Sequence, residues 1–179
     1  MLEAPEAGLR FIVVKPADVP TYVEHGIADL GIVGRDVLLE RRPDVYEPLD
    51  LGFGRCRLVV AGPKGSPALT RFEAGLRVAT KYPRVSRDFF EGRGVPVTIV
   101  ELTGSVELAP RAGLADLIVD VVETGGTLRD NGLVVAEEVA GSSARLIVNR
   151  ASHKVRFEEV QGWVRKLGRA VKRAPRRRR

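Results

Sequence analysis

The sequence predicts an α/β protein built as two similar lobes facing each other across a cleft, and three observations predict it. Apolar strands alternate with short helical patterns along most of the chain, the signature of layered sheets with largely parallel strands. Two stretches 87 residues apart, EHGIADLGIVGRDVL (24–38) and RAGLADLIVDVVETGGTL (111–128), share a helix end, a glycine, Ala-Asp and a buried strand running into a glycine-containing turn. Finally, 179 residues with 44% hydrophobic content can bury a core as one domain or two small lobes.

The elements follow in order. LRFIVV (9–14) reads as an apolar strand, and ADVPTYVEHG (17–26) as a short helix with Asp18 at its N-cap and Gly26 just past its end. ADLGIVG (28–34) is a second strand, RDVLLE (35–40) a helix and CRLVVAG (56–62) a third strand. The loop PKGSPALTRFEAG (63–75), punctuated by Pro and Gly, is the candidate crossing between lobes. Beyond it come strand LRVATKYP (76–83), helix SRDFFEGRG (86–94), strand VTIVEL (97–102) and helix SVELAPRAG (105–113). Strand ADLIVDVV (115–122), helical turn TLRDNG (127–132) and two strands in LVVAEEVAGSSARLIVN (133–149) precede a basic helix from about His153. Trp163 with Val160, Val164 and Leu167 lies at helical spacing, the pattern of a helix packing one face.

The net charge of +6 resembles a nucleic-acid footprint until it is located. RKLGRAVKRAPRRRR (165–179) holds nine Lys or Arg and no acid, leaving 20 positive against 23 negative charges in the rest of the chain. The body is mildly acidic, and the tail reads as a solvated terminus, so nucleic acid is not the expected partner. No apolar run approaches the roughly 18 residues of a membrane span, and the opening MLEAPEAGLRF lacks the order of a signal peptide, which predicts a cytoplasmic protein. Cys56, the single cysteine, excludes an internal disulfide and reads as a small buried filler. With only His25 and His153 beside it, a Cys/His metal site is excluded too, so any metal is expected to arrive with a substrate.

The chemistry concentrates in IVDVVETGGTLRDNG (118–132). A buried strand that stops at Thr-Gly-Gly-Thr aims several backbone N–H groups at one point, and the helix start adds its partial positive charge, which suits phosphate. Gly125 and Gly126 allow close approach and positive φ, and Thr124 and Thr127 add hydroxyl donors. Asp120 and Glu123 would repel phosphate but accept hydrogen bonds from vicinal hydroxyls, so the ligand implied is a phosphorylated ribose. The competing reading is an ordinary strand-to-helix turn with Thr127 as N-cap.

Taken with PADVPTYVEHGIADLGIVGRDVLLE (16–40), LDLGFGRCRLVV (49–60), VATKYP (78–83) and SSARLIVNR (142–150), this stretch resembles the catalytic subunit of the ATP phosphoribosyltransferase family, which opens histidine biosynthesis. The resemblance implies a two-lobed fold of the periplasmic-binding-protein type (type II), with residues 1–65 and 146–179 in one lobe and 66–145 in the other. It also implies the short form of the family, which works with a regulatory subunit related to histidyl-tRNA synthetase as a homodimer within a hetero-octamer. The reaction implied is attack by N1 of ATP on C1 of phosphoribosyl pyrophosphate, with Mg²⁺ bound to the departing pyrophosphate. Asp120 and Glu123 would be the catalytic carboxylates, and Asp120, Glu123, Thr124, Gly125, Gly126 and Thr127 would hold the phosphoribosyl group. Lys15, Gly34, Arg35, Asp36, Arg55 and Arg57 are the candidates for nucleotide or phosphate contacts.

The family also opens with a strand and a Pro-Lys-Gly-Arg turn ahead of the segment that begins here at Leu9, so the resemblance implies that the first strand is lacking and a sheet edge is left unpaired. The start is assigned too late, the chain is truncated, or the activity is lost; the remaining motifs show no decay, which favours the first. The rival functions are a phosphoribosyltransferase for a free base, a two-lobed binding or sensor module without turnover, and nucleic-acid binding through the tail, which would show a steep salt dependence that vanishes when 165–179 is removed.

Overall fold

The structure is a computed structural model that describes residues 2–173, so the last six residues of the basic tail lie outside it. The chain divides into two compact units, residues 1–52 with 144–179 and residues 53–143. In the first unit, strands β1 (Leu2–Ala4) and β2 (Leu9–Phe11) form a small antiparallel hairpin. Only half of the expected LRFIVV strand forms, and Phe11, Ile12 and Val13 are exposed because β2 pairs with β1 and not with the main sheet. Helix α1 (Val19–Glu24), strand β3 (Leu30–Gly34), helix α2 (Arg35–Arg41) and strand β4 (Tyr46–Asp50) follow. The last strand, β10 (Ala144–Val148), pairs antiparallel with both β3 and β4 and lies between them.

One apolar cluster, Val23, Val33, Leu38 and Ile147, covers one face of this sheet under α1 and α2. The other face meets α6 (Phe157–Arg173), whose Val164, Leu167 and Val171 pack on Leu51, Ala144 and Leu146. Between β10 and α6 lies α5 (Arg150–Val155), opened by Asn149, whose Oδ1 accepts from the Ser152 amide at 2.9 Å. The Nδ2 of the same residue donates to the carbonyls of Val23 at 2.8 Å and Glu24 at 3.1 Å, so a buried side chain ties α1 to α5. Carbonyl groups at a helix end have no partner within the helix, and here a buried amide supplies one.

The second unit holds a five-stranded sheet in the order β7 (Thr98–Glu101), β6 (Arg77–Thr80), β8 (Leu117–Val122), β5 (Cys56–Pro63) and β9 (Leu133–Ser142). Helix α3 (Pro83–Glu91) returns the chain from β6 to β7, and α4 (Gly126–Asp130) follows β8. Val59, Ala61, Ala79, Ile118 and Val122 form the core of one face with Leu128 and Leu133.

Four expectations need correction. The sheets are not largely parallel: β6 pairs parallel with β7 and β8, whereas β5 is antiparallel to β8 and β9, and β10 is antiparallel to β3 and β4. Helical crossovers do keep β3 and β4 in one direction, and β9 runs with β6, β7 and β8, but β5 and β10 run against the strands on either side of them. The unit boundary is at 52–53, ahead of the expected 65, because β5 pairs with β9 along its whole length and with β8 from Arg57 to Ala61. SVELAPRAG forms only a short 3-10 turn at Val106–Leu108 in place of a helix. Cys56, expected to be buried, is half-buried at the start of β5.

The internal echo is structural. Gly26 (φ 71°) and Gly113 (φ 73°) each adopt the left-handed conformation after a helical turn. The next amide reaches back five residues in both copies, Ile27 to the Tyr22 carbonyl and Leu114 to the Ala109 carbonyl, each at 3.0 Å. The aspartates that follow are both ion-paired, Asp29 with Arg156 at 2.7 Å and Asp116 with Arg77 at 2.9 Å.

Candidate active site

The carboxyl ends of the parallel strands β6 and β8 lie side by side, with Thr80 opposite Val119. The chain leaves β6 toward β7 on one flank, while β8 lies on the other flank. In α/β sheets this divergence opens a crevice beyond the strand ends where ligands are held. Two loops leave the sheet at this end, Lys81–Tyr82 directly after β6 and Glu123–Gly125 after β8, which runs three residues past the Thr80–Val119 pair.

A buried hydroxyl fixes the first loop to the neighbouring strand. Thr80 Oγ1, fully buried, donates to the Val119 carbonyl at 2.7 Å and accepts from the Tyr82 amide at 2.8 Å. Ser86 Oγ, also buried, donates to the Tyr82 carbonyl at 2.7 Å. The turn is thereby rigid where it borders the candidate site.

In the second loop the half-buried Asp120 ends the core part of β8, and its Oδ1 accepts from the amide of Val121 at 2.8 Å. Glu123, Thr124 and Thr127 are exposed, and Gly125 and Gly126 are half-buried. Gly125 caps α4 in the left-handed conformation (φ 77°), so it is Gly125 and not Thr127 that begins the helix, and no side chain caps it. The expectation of positive φ at both glycines is corrected: Gly126 is the first residue of α4 and does not appear among the left-handed residues. Arg129 Nη1 donates to the Thr124 carbonyl at 3.2 Å and folds the loop back on its own helix. A Cβ at Gly125 would sit 3.2 Å from that same nitrogen, whereas a Cβ at Gly126 would meet only Thr124 Oγ1 at 3.9 Å.

The antiparallel register of β5 and β8 sets Arg57 opposite Val122 and Val59 opposite Asp120, so Arg57 shares a sheet face with Asp120 at the end where the loop begins. Arg57 reaches Glu138 of β9 at 3.4 Å, an exposed pair of little energetic weight. Arg55, exposed, precedes β5 at the same end. Both arginines therefore belong to the second unit with Asp120, Glu123, Thr124, Gly125, Gly126 and Thr127, against the expectation that placed them in the first.

The first unit holds the other candidates. Gly34 ends β3 and caps α2, with Arg35 and Asp36 in the first turn. The Asp36 carboxylate folds back so closely that a Cβ at Gly34 would lie 2.2 Å from its Oδ1, so a larger residue there would displace the Asp36 side chain. Lys15 is exposed, and its carbonyl accepts from the Asp18 amide at 2.9 Å. Sequence reasoning did not single out Lys81, an exposed cation directly beyond β6 and one position past the Thr80–Val119 pair, near the level of Asp120. The only signal for it was its place in VATKYP, which becomes informative once β6 and β8 are known to be neighbours.

Among the described residues no group of three or more His, Cys, Asp or Glu side chains is placed to hold a metal ion, and no helix is long and apolar enough to cross a membrane.

Comparison with known proteins places this geometry. The family model HisG, ATP phosphoribosyltransferase, matches residues 15–169. An ATP phosphoribosyltransferase from Caldanaerobacter subterraneus subsp. tengcongensis is 55% identical over 167 residues, covering 93% of this chain and 79% of the relative. Among solved structures, the ATP phosphoribosyl transferase (HisG:HisZ) complex from Thermotoga maritima superposes with a TM-score of 0.82 at 41% identity, over 90% of this chain and 79% of that one. The periplasmic aliphatic sulphonate binding protein SsuA from Escherichia coli matches with a TM-score of 0.60 at 15% identity, over 87% of this chain and 56% of that one, a likeness of fold alone. The fold is thus the two-lobed periplasmic-binding-protein type, and the chain belongs to the ATP phosphoribosyltransferase family.

Proposed function

We infer that this chain is the catalytic subunit of an ATP phosphoribosyltransferase, which transfers the phosphoribosyl group of phosphoribosyl pyrophosphate to N1 of ATP and releases pyrophosphate in the first step of histidine biosynthesis. The observation that carries the reading is the β8–α4 loop, ETGGT at the carboxyl end of a parallel strand, in a chain that matches the family over residues 15–169. Neither the free-base transferase nor the binding module is favoured by a family match of that length.

In this reading the amides of Gly125, Gly126 and Thr127, with the hydroxyls of Thr124 and Thr127, hold the 5-phosphate. Asp120 and Glu123 accept from the ribose hydroxyls and stabilise positive charge that develops on the sugar as the bond to pyrophosphate lengthens. Arg57 and Arg55 supply positive charge to phosphate groups at the same end of the sheet. Lys15, Gly34, Arg35 and Asp36 contact the nucleotide or its phosphates. Positioning two bound substrates supplies most of the acceleration, since the chain forms no covalent intermediate. Phosphoribosyl pyrophosphate enters as its Mg²⁺ complex, which places the metal on a substrate.

The partner proposed is a regulatory subunit related to histidyl-tRNA synthetase, in keeping with the HisG:HisZ complex from Thermotoga maritima, and the assembly a homodimer of this chain within a hetero-octamer in the cytoplasm. The test is to mix the full chain with ATP, phosphoribosyl pyrophosphate and Mg²⁺, with and without a short-form regulatory subunit, and to follow phosphoribosyl-ATP by ultraviolet absorbance. Product in either mixture supports the reading. No product in both, with phosphoribosyl pyrophosphate still bound, overturns it in favour of a binding module.

A further inference from the structure

We propose that the outer face of α6 is a binding surface for the phosphate backbone of nucleic acid. The sequence alone makes the basic ending a solvated terminus, but folding adds an arrangement that the sequence count does not contain. Val160, Val164, Leu167 and Val171 form the stripe by which α6 meets the first unit, Val160 being 3% exposed. At about 100° per residue, Arg165, Lys166, Arg169, Lys172 and Arg173 centre on the opposite side of the helix. All five are exposed, and none has an ion-pair partner among the described residues. Lys166 lies 4.5 Å over the Trp163 ring, a contact that holds its ammonium without neutralising it.

The acids of this helix, Glu158 and Glu159, are confined to its first turn, and Glu159 is occupied by Arg156 at 2.6 Å. From Val160 to the end of the chain the sequence has no Asp or Glu, and it continues beyond the described residues with Arg176 to Arg179. A ridge about 12 Å long with five cations matches the charge spacing of a phosphate backbone. Arginine predominates in the region, and its planar fork suits phosphate oxygens. The ridge is anchored by a packed apolar stripe, so binding does not have to order it first. It carries no exposed aromatic side chain for stacking on bases, so the recognition is of backbone charge and is indifferent to sequence.

The experiment measures fluorescence polarisation of labelled 20-base-pair DNA and of a labelled single-stranded RNA with the full chain, from about 50 to 300 mM salt. If all five cations engage, log affinity falls against log salt with a slope of about −4.5 on duplex and about −3.5 on single strand. The difference between the two arms identifies which source of phosphate is preferred. A variant with Arg165→Gln, Arg169→Gln and Lys172→Gln should bind at least about tenfold more weakly and lose about 2.7 of the duplex slope, with its melting temperature unchanged. A chain ending at residue 173 should keep salt-dependent binding, which separates the helix from the terminal arginines. A slope shallower than about −1, unchanged binding by the triple variant, or complete loss on removing 174–179 overturns the proposal. Competition by poly-glutamate as effective as that by nucleic acid, charge for charge, also overturns it and assigns the ridge to an acidic protein surface.

Discussion

Arg77 closes on Asp116 from two directions: its backbone amide donates to Oδ2 at 2.8 Å, and its Nη2 donates to Oδ1 at 2.9 Å. The same guanidinium donates through Nη1 to the Gly113 carbonyl at 2.9 Å, so one side chain secures the turn that leads into β8. The side-chain bond from Arg77, followed by its backbone bond, holds the Asp116 carboxyl below the usual carboxylate range. A carboxyl depressed in the folded state adds stability above its unfolded pKa, and that stability is lost as pH falls through the folded value. Asp116→Ala should therefore lower the urea midpoint at about pH 7, and its difference from the parent chain should shrink as pH falls below about 3.9 and on through the depressed folded value. A difference that persists undiminished in acid would mean that packing, not the ion pair, is lost.

Asn149 is 6% exposed and serves two helices at once, so its removal takes a donor from the Glu24 carbonyl and an acceptor from the Ser152 amide, and leaves the Val23 carbonyl with the Gly26 amide alone. Asn149→Ala should cost about 1–3 kcal/mol in urea unfolding. Asn149→Asp keeps the acceptor for Ser152 but cannot donate, and should recover only part of the loss.

The two adjacent glycines of the phosphate loop should respond differently. Gly125 has φ of 77°, and Gly125→Ala introduces backbone strain of about 1 kcal/mol together with a contact on Arg129. Isothermal titration should show weakened phosphoribosyl pyrophosphate binding for it. Gly126→Ala has room for its methyl group and should fold at close to the parent stability, whereas Gly126→Val should fold and lose binding, because its branched side chain covers the amides. Equal binding by all of these variants would remove the loop from the site.

Lys81 follows β6 as an exposed cation one position past the Thr80–Val119 pair, near the level of Asp120, and the proposed reaction brings several phosphate charges to that end of the sheet. Lys81→Met should raise KM for phosphoribosyl pyrophosphate about tenfold while changing KM for ATP little, and Lys81→Arg should restore part of the loss. Steady-state kinetics with each substrate varied in turn separates these outcomes.

What the sequence made legible was set by burial. β6 and β8 are apolar on both faces, Val78, Ala79, Leu117, Ile118 and Val119 all being fully buried, so they read as strands without a partner in view. β4, YEPLD, escaped notice because four of its five residues are exposed and Pro48 interrupts it; only Leu49 signals the core. The loop 123–127 was found from its chemistry, yet which glycine turns left-handed depends on where α4 begins, and two adjacent glycines look alike in sequence. Arg57 stood among the candidates for phosphate contacts, but its relation to Asp120 comes from the pairing of β5 with β8, contacts between residues more than sixty apart. Strand direction was illegible for the same reason: nothing near β3 or β4 announces that β10 will enter between them.

That insertion governs how the molecule can be made. A ribosome releases β3 and β4 early, yet the strand that joins them is the last one in the chain. The second unit is continuous from residue 53 to 143 and can be complete while the first still lacks its middle. Nascent chains arrested before residue 144 should therefore resist protease across 53–143 and be cut within 1–52, and protection of the N-terminal region should appear only when β10 clears the exit tunnel. The unit that starts first finishes last.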